Sequence, residues 1–198
     1  GAGACGLFTA INIAEKAPHM RILILEKSKE ALGKVRISGG GRCNLTNAET
    51  NPREFVKNYP RGNRELLGVF SRFSSQDTVR WFSRHGVAIK QEADGRMFPQ
   101  SNSSQTVIDC FLSLAKKYHI EILYRQNIQS FSYEQEAVWH LIANRVRTMT
   151  SVGLFAQVEA YQLFIKELPQ VDYFLRINPC EQSQDYVSLL KAQFFIDL

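Results

Sequence analysis

The 198-residue chain has four cysteines but no CxxC pair. Cys5, Cys43, Cys110 and Cys180 stand far apart, which excludes a zinc knuckle and a thioredoxin-like dithiol and suits a reduced, cytoplasmic compartment. No metal site is expected. No run approaches the ~20 apolar residues of a membrane span, so no membrane partner is expected. A charged-then-apolar leader is lacking too, although the first residue is not a Met, which leaves a removed leader open. Internal repeats and low-complexity tracts are missing. The net charge of +5 is dispersed, with local clusters at 27–42 and 116–125. No basic patch is interleaved with aromatics, so no nucleic-acid partner is expected. His85, His119 and His140 each stand near the end of an element and read as structural histidines; no catalytic residue is assigned. The length bounds the chain to one sizeable domain, or one and a half.

What the chain does have is glycine in telling places. Gly1-Ala2-Gly3-Ala4-Cys5-Gly6 is followed twenty residues later by Glu26. The first glycine permits a tight strand-to-helix turn, the second lets backbone approach a pyrophosphate, and the third lets the helix pack closely on a sheet. The helix N-terminus offers unpaired N–H groups and positive dipole to an anion. Leu7, Phe8, Ala10, Ile11 and Ala14 supply the apolar helical face, and Pro18 and His19 end it. Arg21–Leu25 reads as a strand buried on both faces of a parallel sheet. It delivers Glu26 where a carboxylate can accept from both ribose hydroxyls and would repel a 2′-phosphate, which favours FAD or NAD over NADP. The bland reading is a glycine turn that merely packs a helix on a strand. A turn of this kind follows a strand and none precedes Gly1, so the chain is expected to be an incomplete view of its protein.

The second motif runs from Lys34 to Asn47 and contains Ser38-Gly39-Gly40-Gly41-Arg42-Cys43-Asn44. Three consecutive glycines are unjustified inside a helix or strand. They suit close backbone approach to a flat or anionic ligand; a flexible surface loop is the alternative. Lys34, Arg36 and Arg42 add positive charge. Ser38, Asn44, Thr46 and Asn47 add neutral hydrogen-bonding groups. A basic glycine loop is able to lower the pKa of Cys43, but a structural or cofactor-lining role is favoured for it over a redox one.

Together GAGACG, LEKSKEALGKVRISGGGRCNLTNA and the later Gly95-Arg96-Met97-Phe98-Pro99-Gln100-Ser101 resemble the BaiN/YhiN-like flavoprotein family, which is aminoacetone-oxidase-like and NAD(P)/FAD-dependent. The resemblance runs in order from Gly1 to about Ser132. It implies FAD as the tightly bound dinucleotide. Gly1, Gly3, Ala4 and Gly6 would face the pyrophosphate, and Glu26, with Lys27 beside it, the adenosine ribose. Gly33 and Lys34 would line the cofactor. Ser38, Gly39, Gly40, Gly41, Arg42, Cys43 and Asn44 would pass near the flavin. Ile128, in the strand-like stretch Glu121–Gln129, matches the position whose backbone meets the adenine. Relatives carry an Arg where this chain has Gly33, so no side-chain contact is implied there.

The expected fold class is α/β: a Rossmann-like FAD-binding βαβ core without its first strand, a mostly helical insertion, and a divergent or incomplete α+β C-terminal part. Residues 1–142 would form the FAD-binding domain, with the insertion at about 49–117. Asn51-Pro52 opens a helix through Tyr59, Asn63 begins another, and Ser75 or Asp77 caps a third that stops at Gly86. Val87–Glu92 and Arg96–Phe98 read as paired strands about the Asp94-Gly95 turn. Ser101–Ser104 caps a further helix, Ile120–Tyr124 is a strand, and Ile128–Leu141 a hairpin around Tyr133–Glu136. Residues 143–198 read as a partial or divergent α+β segment, with helices over Ser151–Leu168 and Gln184–Phe195 and a strand over Tyr173–Ile177; a remnant of the family's inserted substrate domain is the alternative. The resemblance implies hydride transfer between a small organic substrate and bound flavin, with NAD(P)H or oxygen as second partner. Two rival readings are a truncated or degenerate member serving as a non-catalytic module, and an NAD-binding protein without flavin. The oligomeric state is not legible in the sequence.

Overall fold

The computed structural model describes residues 1–134, 138–143 and 149–151. They fall into two compact units. The first joins Gly1–Leu32 to the described residues from Leu114 onward, and the second is Gly33–Ser113.

The first unit begins with α1 (Ala4–Lys16), which buries Leu7, Phe8, Thr9, Ala10, Ile11 and Ala14. Leu7 and Ile11 are wholly buried, each stabilising the fold by about 1.5–3 kcal/mol relative to exposure. Strand β1 (Leu23–Leu25) pairs in parallel with β5 (Glu121–Leu123), in the register Ile24 to Ile122. The pairing is continued on one side by Glu121 N–H to the Ile22 carbonyl (3.1 Å) and on the other by Glu26 N–H to the Leu123 carbonyl (2.8 Å). A parallel pair needs a crossover, and the helix entering β5, α6 (Ser104–Lys117), completes it. Only Ile24 of β1 is buried; Leu23 and Leu25 are half-buried. The expected two-sided burial is therefore confined to one residue, in a sheet that has two strands among the described residues.

The expected Glu121–Gln129 strand divides. Arg125 adopts a left-handed φ of 57°, and the chain turns before β6 (Ile128–Glu134). Strand β6 pairs antiparallel with β7 (Val138–Ala143), which pairs in turn with β8 (Met149–Ser151). The hairpin expected over Ile128–Leu141 is present. Ser151 ends β8; the rest of the expected Ser151–Leu168 helix, the Tyr173–Ile177 strand and the Gln184–Phe195 helix lie outside the described residues.

The second unit opens with α2 (Gly33–Gly41), which is interrupted at Ser38. Its sheet is antiparallel in the order β2 (Thr46–Asn47), β4 (Arg96–Pro99), β3 (Ile89–Gln91). The helical part holds α3 (Pro52–Phe55), a 3-10 turn (Val56–Asn58), α4 (Asn63–Phe70) and α5 (Ser75–Arg84). Asn51 caps α3 by accepting from Arg53 N–H at 3.0 Å. The helix expected through Tyr59 stops early because Tyr59 precedes Pro60, which drives it to an extended φ of −105° and ψ of 103°. Ser74, rather than Ser75 or Asp77, caps α5. Its hydroxyl accepts from Asp77 N–H while the Asp77 carboxylate accepts from Ser74 N–H, a reciprocal capping box. Gly86, at φ 84°, ends the helix. Phe55, Val56, Leu66 and Phe70 form one apolar cluster. Trp81, Phe82 and Phe111 form a second aromatic group, with Phe111 5.6 Å from each of the other two rings. His85 rests on Trp81 and its Nδ1 meets the Trp81 carbonyl at 2.7 Å, the structural role expected of it.

Candidate cofactor-binding site

In the first unit, Gly3 precedes α1 as its N-cap, and no side chain caps the helix. Leu7 N–H closes the first turn on the Gly3 carbonyl at 3.0 Å. The start of a 13-residue helix is thus presented as backbone alone, the arrangement that favours an anion. A Cβ on Gly6 would lie 1.9 Å from the Gly1 carbonyl oxygen, so only glycine fits there. The close approach is to the backbone of the turn itself, rather than to the sheet as expected of the third glycine. Ala2, between the glycines, is fully buried, and its carbonyl accepts from Leu32 N–H at 2.9 Å.

Glu26 leaves the end of β1 and reaches that turn. One carboxylate oxygen accepts from Ala2 N–H at 2.5 Å, the other from Ser28 N–H at 2.7 Å. Burial opposes ionisation, but the Ser28 and Ala2 hydrogen bonds outweigh it and hold the carboxyl below its ordinary range. Glu26 is therefore an anion at neutral pH. Each of its oxygens keeps a further lone pair, the donor-accepting capacity that two ribose hydroxyls require. Lys27 is exposed beside it. Ile128 opens β6 at 37 % exposure, paired with Ala143. Cys5, in the turn, is pushed up in pKa chiefly by burial.

In the second unit, Gly33 and Lys34 are exposed at the start of α2. The helix breaks at Ser38, whose ψ is 148°, and Gly39, Gly40 and Gly41 follow with φ of 55°, 67° and 83°. Three successive left-handed residues account for the glycine triplet. A Cβ on Gly39 would meet Asn44 N at 2.8 Å and Phe98 Cε1 at 3.0 Å, whereas one on Gly40 would meet nothing within 4 Å. Gly40 is thus the open point of the loop. Cys43 N–H returns to the Ser38 carbonyl at 3.0 Å. Asn44 Oδ1 accepts from Met97 N–H at 3.3 Å and Leu45 N–H donates to the Met97 carbonyl at 2.8 Å, pinning the loop to β4. The basic loop does not lower the Cys43 pKa. Burial raises it, the Ser38 hydroxyl offsets this only in part, and the Arg42 guanidinium is turned to Glu92, 2.5 Å away.

Glu92 and the stacking role of Phe98 were not found by sequence reasoning. The Gly95–Ser101 motif marked the right strand, but a lone acid fifty residues from its arginine carries no local signal. Among the described residues there is no cluster able to hold a metal ion and no helix long and apolar enough to cross a membrane.

A glycine turn opening a helix and an acid closing a parallel strand are the arrangement of a Rossmann-type α/β fold. The chain belongs to the HI0933-like flavoprotein family, whose Rossmann-domain model matches residues 1–156. It is 28% identical over 135 residues to ribosomal RNA dihydrouridine synthase of Escherichia coli (strain K12), covering 68% of this chain and 32% of that protein. It is 26% identical over 122 residues to 3-dehydro-bile acid delta(4,6)-reductase of Clostridium scindens (strain ATCC 35704 / DSM 5676 / VPI 13733 / 19), covering 62% of this chain and 29% of that one. Among solved structures, 3-ketosteroid-delta4-(5alpha)-dehydrogenase from Rhodococcus jostii RHA1 shares the fold, with a TM-score of 0.55 and 12% identity over 76% of this chain and 42% of that one. The chain spans about a third of the length of the curated relatives it matches.

Proposed function

We propose that the whole protein is an FAD-dependent oxidoreductase that moves a hydride between a small organic substrate and bound flavin. NAD(P)H is the second partner in the reducing direction, and oxygen in the oxidising one. The observation that carries this reading is the Ala2–Glu26 hydrogen bond, which brings the two halves of the dinucleotide fingerprint into contact. The residues fit the group: a Cβ-free approach at Gly6, an uncapped helix start, an ionised carboxylate and open space at Gly40. In this reading Gly1, Gly3, Ala4 and Gly6 receive the pyrophosphate and Glu26 the ribose, with Lys27 alongside. The Ile128 backbone receives the adenine. Gly33, Lys34 and the Ser38–Asn44 loop serve the flavin half. FAD supplies the two-electron chemistry when bound; the chain's residues bind it, orient it and set the polarity around it.

The bond acted on is a carbon–carbon double bond. Of the two curated relatives described above, one is named a dihydrouridine synthase and the other a delta(4,6)-reductase, names that support saturation of such a bond. The family match supports an enzyme over a non-catalytic module. The test is the absorbance spectrum of the purified full-length protein. Flavin bands should be present, bleach anaerobically with NADH or NADPH, and return on adding a small α,β-unsaturated ketone. Glu26→Ala should lose most of the bound FAD. A colourless wild-type protein, or flavin that NAD(P)H cannot bleach, refutes the reading. The similarity to the ribosomal RNA enzyme favours a second reading, in which the reduced bond lies in an RNA uridine. Flavin reoxidised by ribosomal RNA but not by the ketone, with dihydrouridine formed, decides for it.

A further inference from the structure

We propose that Glu92 is a positioning residue for the cofactor: by holding Arg42 over the Phe98 ring it fixes the backbone of Gly39–Gly41 in the shape that receives the flavin. The inference rests on the assignment of this loop to the flavin half.

Left-handed glycines in sequence have little conformational preference of their own, so the loop needs an outside anchor. Phe98 provides a wholly buried ring. Its edge is what a side chain at Gly39 would strike, at 3.0 Å. Its face carries the Arg42 guanidinium, 4.0 Å from the ring centroid. One ring therefore sets the loop at both ends of the glycine triplet. The Arg42 guanidinium stays on that face because Glu92 Oε1 holds its Nη1 at 2.5 Å, with the two side chains only 34% and 25% exposed. The other Glu92 oxygen lies 3.8 Å from Arg96, whose own guanidinium is 5.4 Å from the same ring. A half-buried pair stacked on an aromatic face is held more firmly than a solvated surface pair. This geometry also decides what Arg42 does. Its charge is met by Glu92, so it acts as a strut rather than as a cation reserved for a phosphate.

The variants Glu92→Gln and Arg42→Lys separate the contributions: the first keeps the shape and removes the charge, and the second keeps the charge and removes the planar fork. Two quantities are read on the full-length protein: FAD affinity by flavin fluorescence, and hydrogen exchange of the Gly39–Cys43 amides without FAD. Each variant is expected to weaken FAD by about tenfold, or ~1.4 kcal/mol, and to speed exchange in this segment while the α5 amides stay unchanged. The double variant should lose no more than the worse single one, because both break one strut. Wild-type FAD affinity in Glu92→Gln, or tighter binding by a freed Arg42, overturns the proposal whatever the exchange shows. If Glu92→Gln fails to fold, Arg42→Lys alone decides by the same two readings. A wild-type protein that binds no FAD sinks the functional reading as well; a wild type that binds it and a Glu92→Gln that matches it sink this inference alone.

Discussion

Replacing Gly39 and Gly40 by alanine, one at a time, separates two reasons for a glycine that are usually entangled. Both residues are left-handed, with φ of 55° and 67°, so both variants bear the cost of an L side chain in that region. That cost is ~1–2 kcal/mol, offset in part by the lower entropy of the unfolded alanine chain, leaving about 1 kcal/mol. Gly40→Ala adds nothing further, because no atom lies within 4 Å of the new methyl. Gly39→Ala places its methyl 2.8 Å from the Asn44 nitrogen and 3.0 Å from Phe98 Cε1. Neither can yield cheaply: the first is backbone, and the second belongs to a buried ring with Arg42 on its face. Overpacking of this kind adds ~1–3 kcal/mol. Thermal unfolding followed by far-ultraviolet circular dichroism, without added cofactor, should show the melting temperature lowered by about 2–4 °C for Gly40→Ala and by roughly 4–16 °C for Gly39→Ala. Equal losses, or a larger loss at Gly40, would refute the claim that Phe98 and Asn44 define the space at Gly39.

Two further outcomes follow from the ionisation states. The Glu26 carboxyl is held below its ordinary value of 4.5 by hydrogen bonds that outweigh burial, so its stabilising contribution is complete above that value and vanishes as pH falls through the lowered one; the urea midpoints of wild type and Glu26→Gln should differ at neutral pH and converge in acid, and a gap that stays constant on acidification would show that the carboxylate is not the source. Burial pushes Cys43 upward and Cys110 to about 11, so both should resist iodoacetamide in the native protein at mildly alkaline pH and react promptly in urea; rapid native labelling of Cys43 would mean that the loop exposes its thiol.

The parts of the site that could be read from sequence are those whose geometry is local or stereochemical. Gly6 is dictated by the approach of one backbone to another within a single turn. The glycine triplet marks a break from regular helix or strand, and the structure gives the break its left-handed form. Glu26 follows a short apolar run of the kind that suits a buried strand, and the hairpin about Gly95 follows from its turn residues. What escaped is set by tertiary partners. Whether Cys43 feels Arg42 depends on where the guanidinium goes, and Glu92, fifty residues on, decides that. The half-burial of Leu23 and Leu25 depends on which elements cover β1, which the pattern of β1 itself does not contain. The early stop before Tyr59 is local too, since Pro60 disfavours helical backbone at the residue before it.

The parallel pairing of β1 with β5 also bears on the order in which the chain acquires structure. Leu23 meets Glu121 only after the chain between them has been brought round, and closing an unstructured loop of that length is entropically dear, growing with the logarithm of the residues it encloses. Most of those residues belong to Gly33–Ser113, a continuous stretch with its own sheet and aromatic clusters. Once that stretch has condensed, the closure left to β1 and β5 involves only the short arms on either side of it. The strand pair beside the glycine turn therefore rests on a contact between distant parts of the chain, the kind that is costly to nucleate.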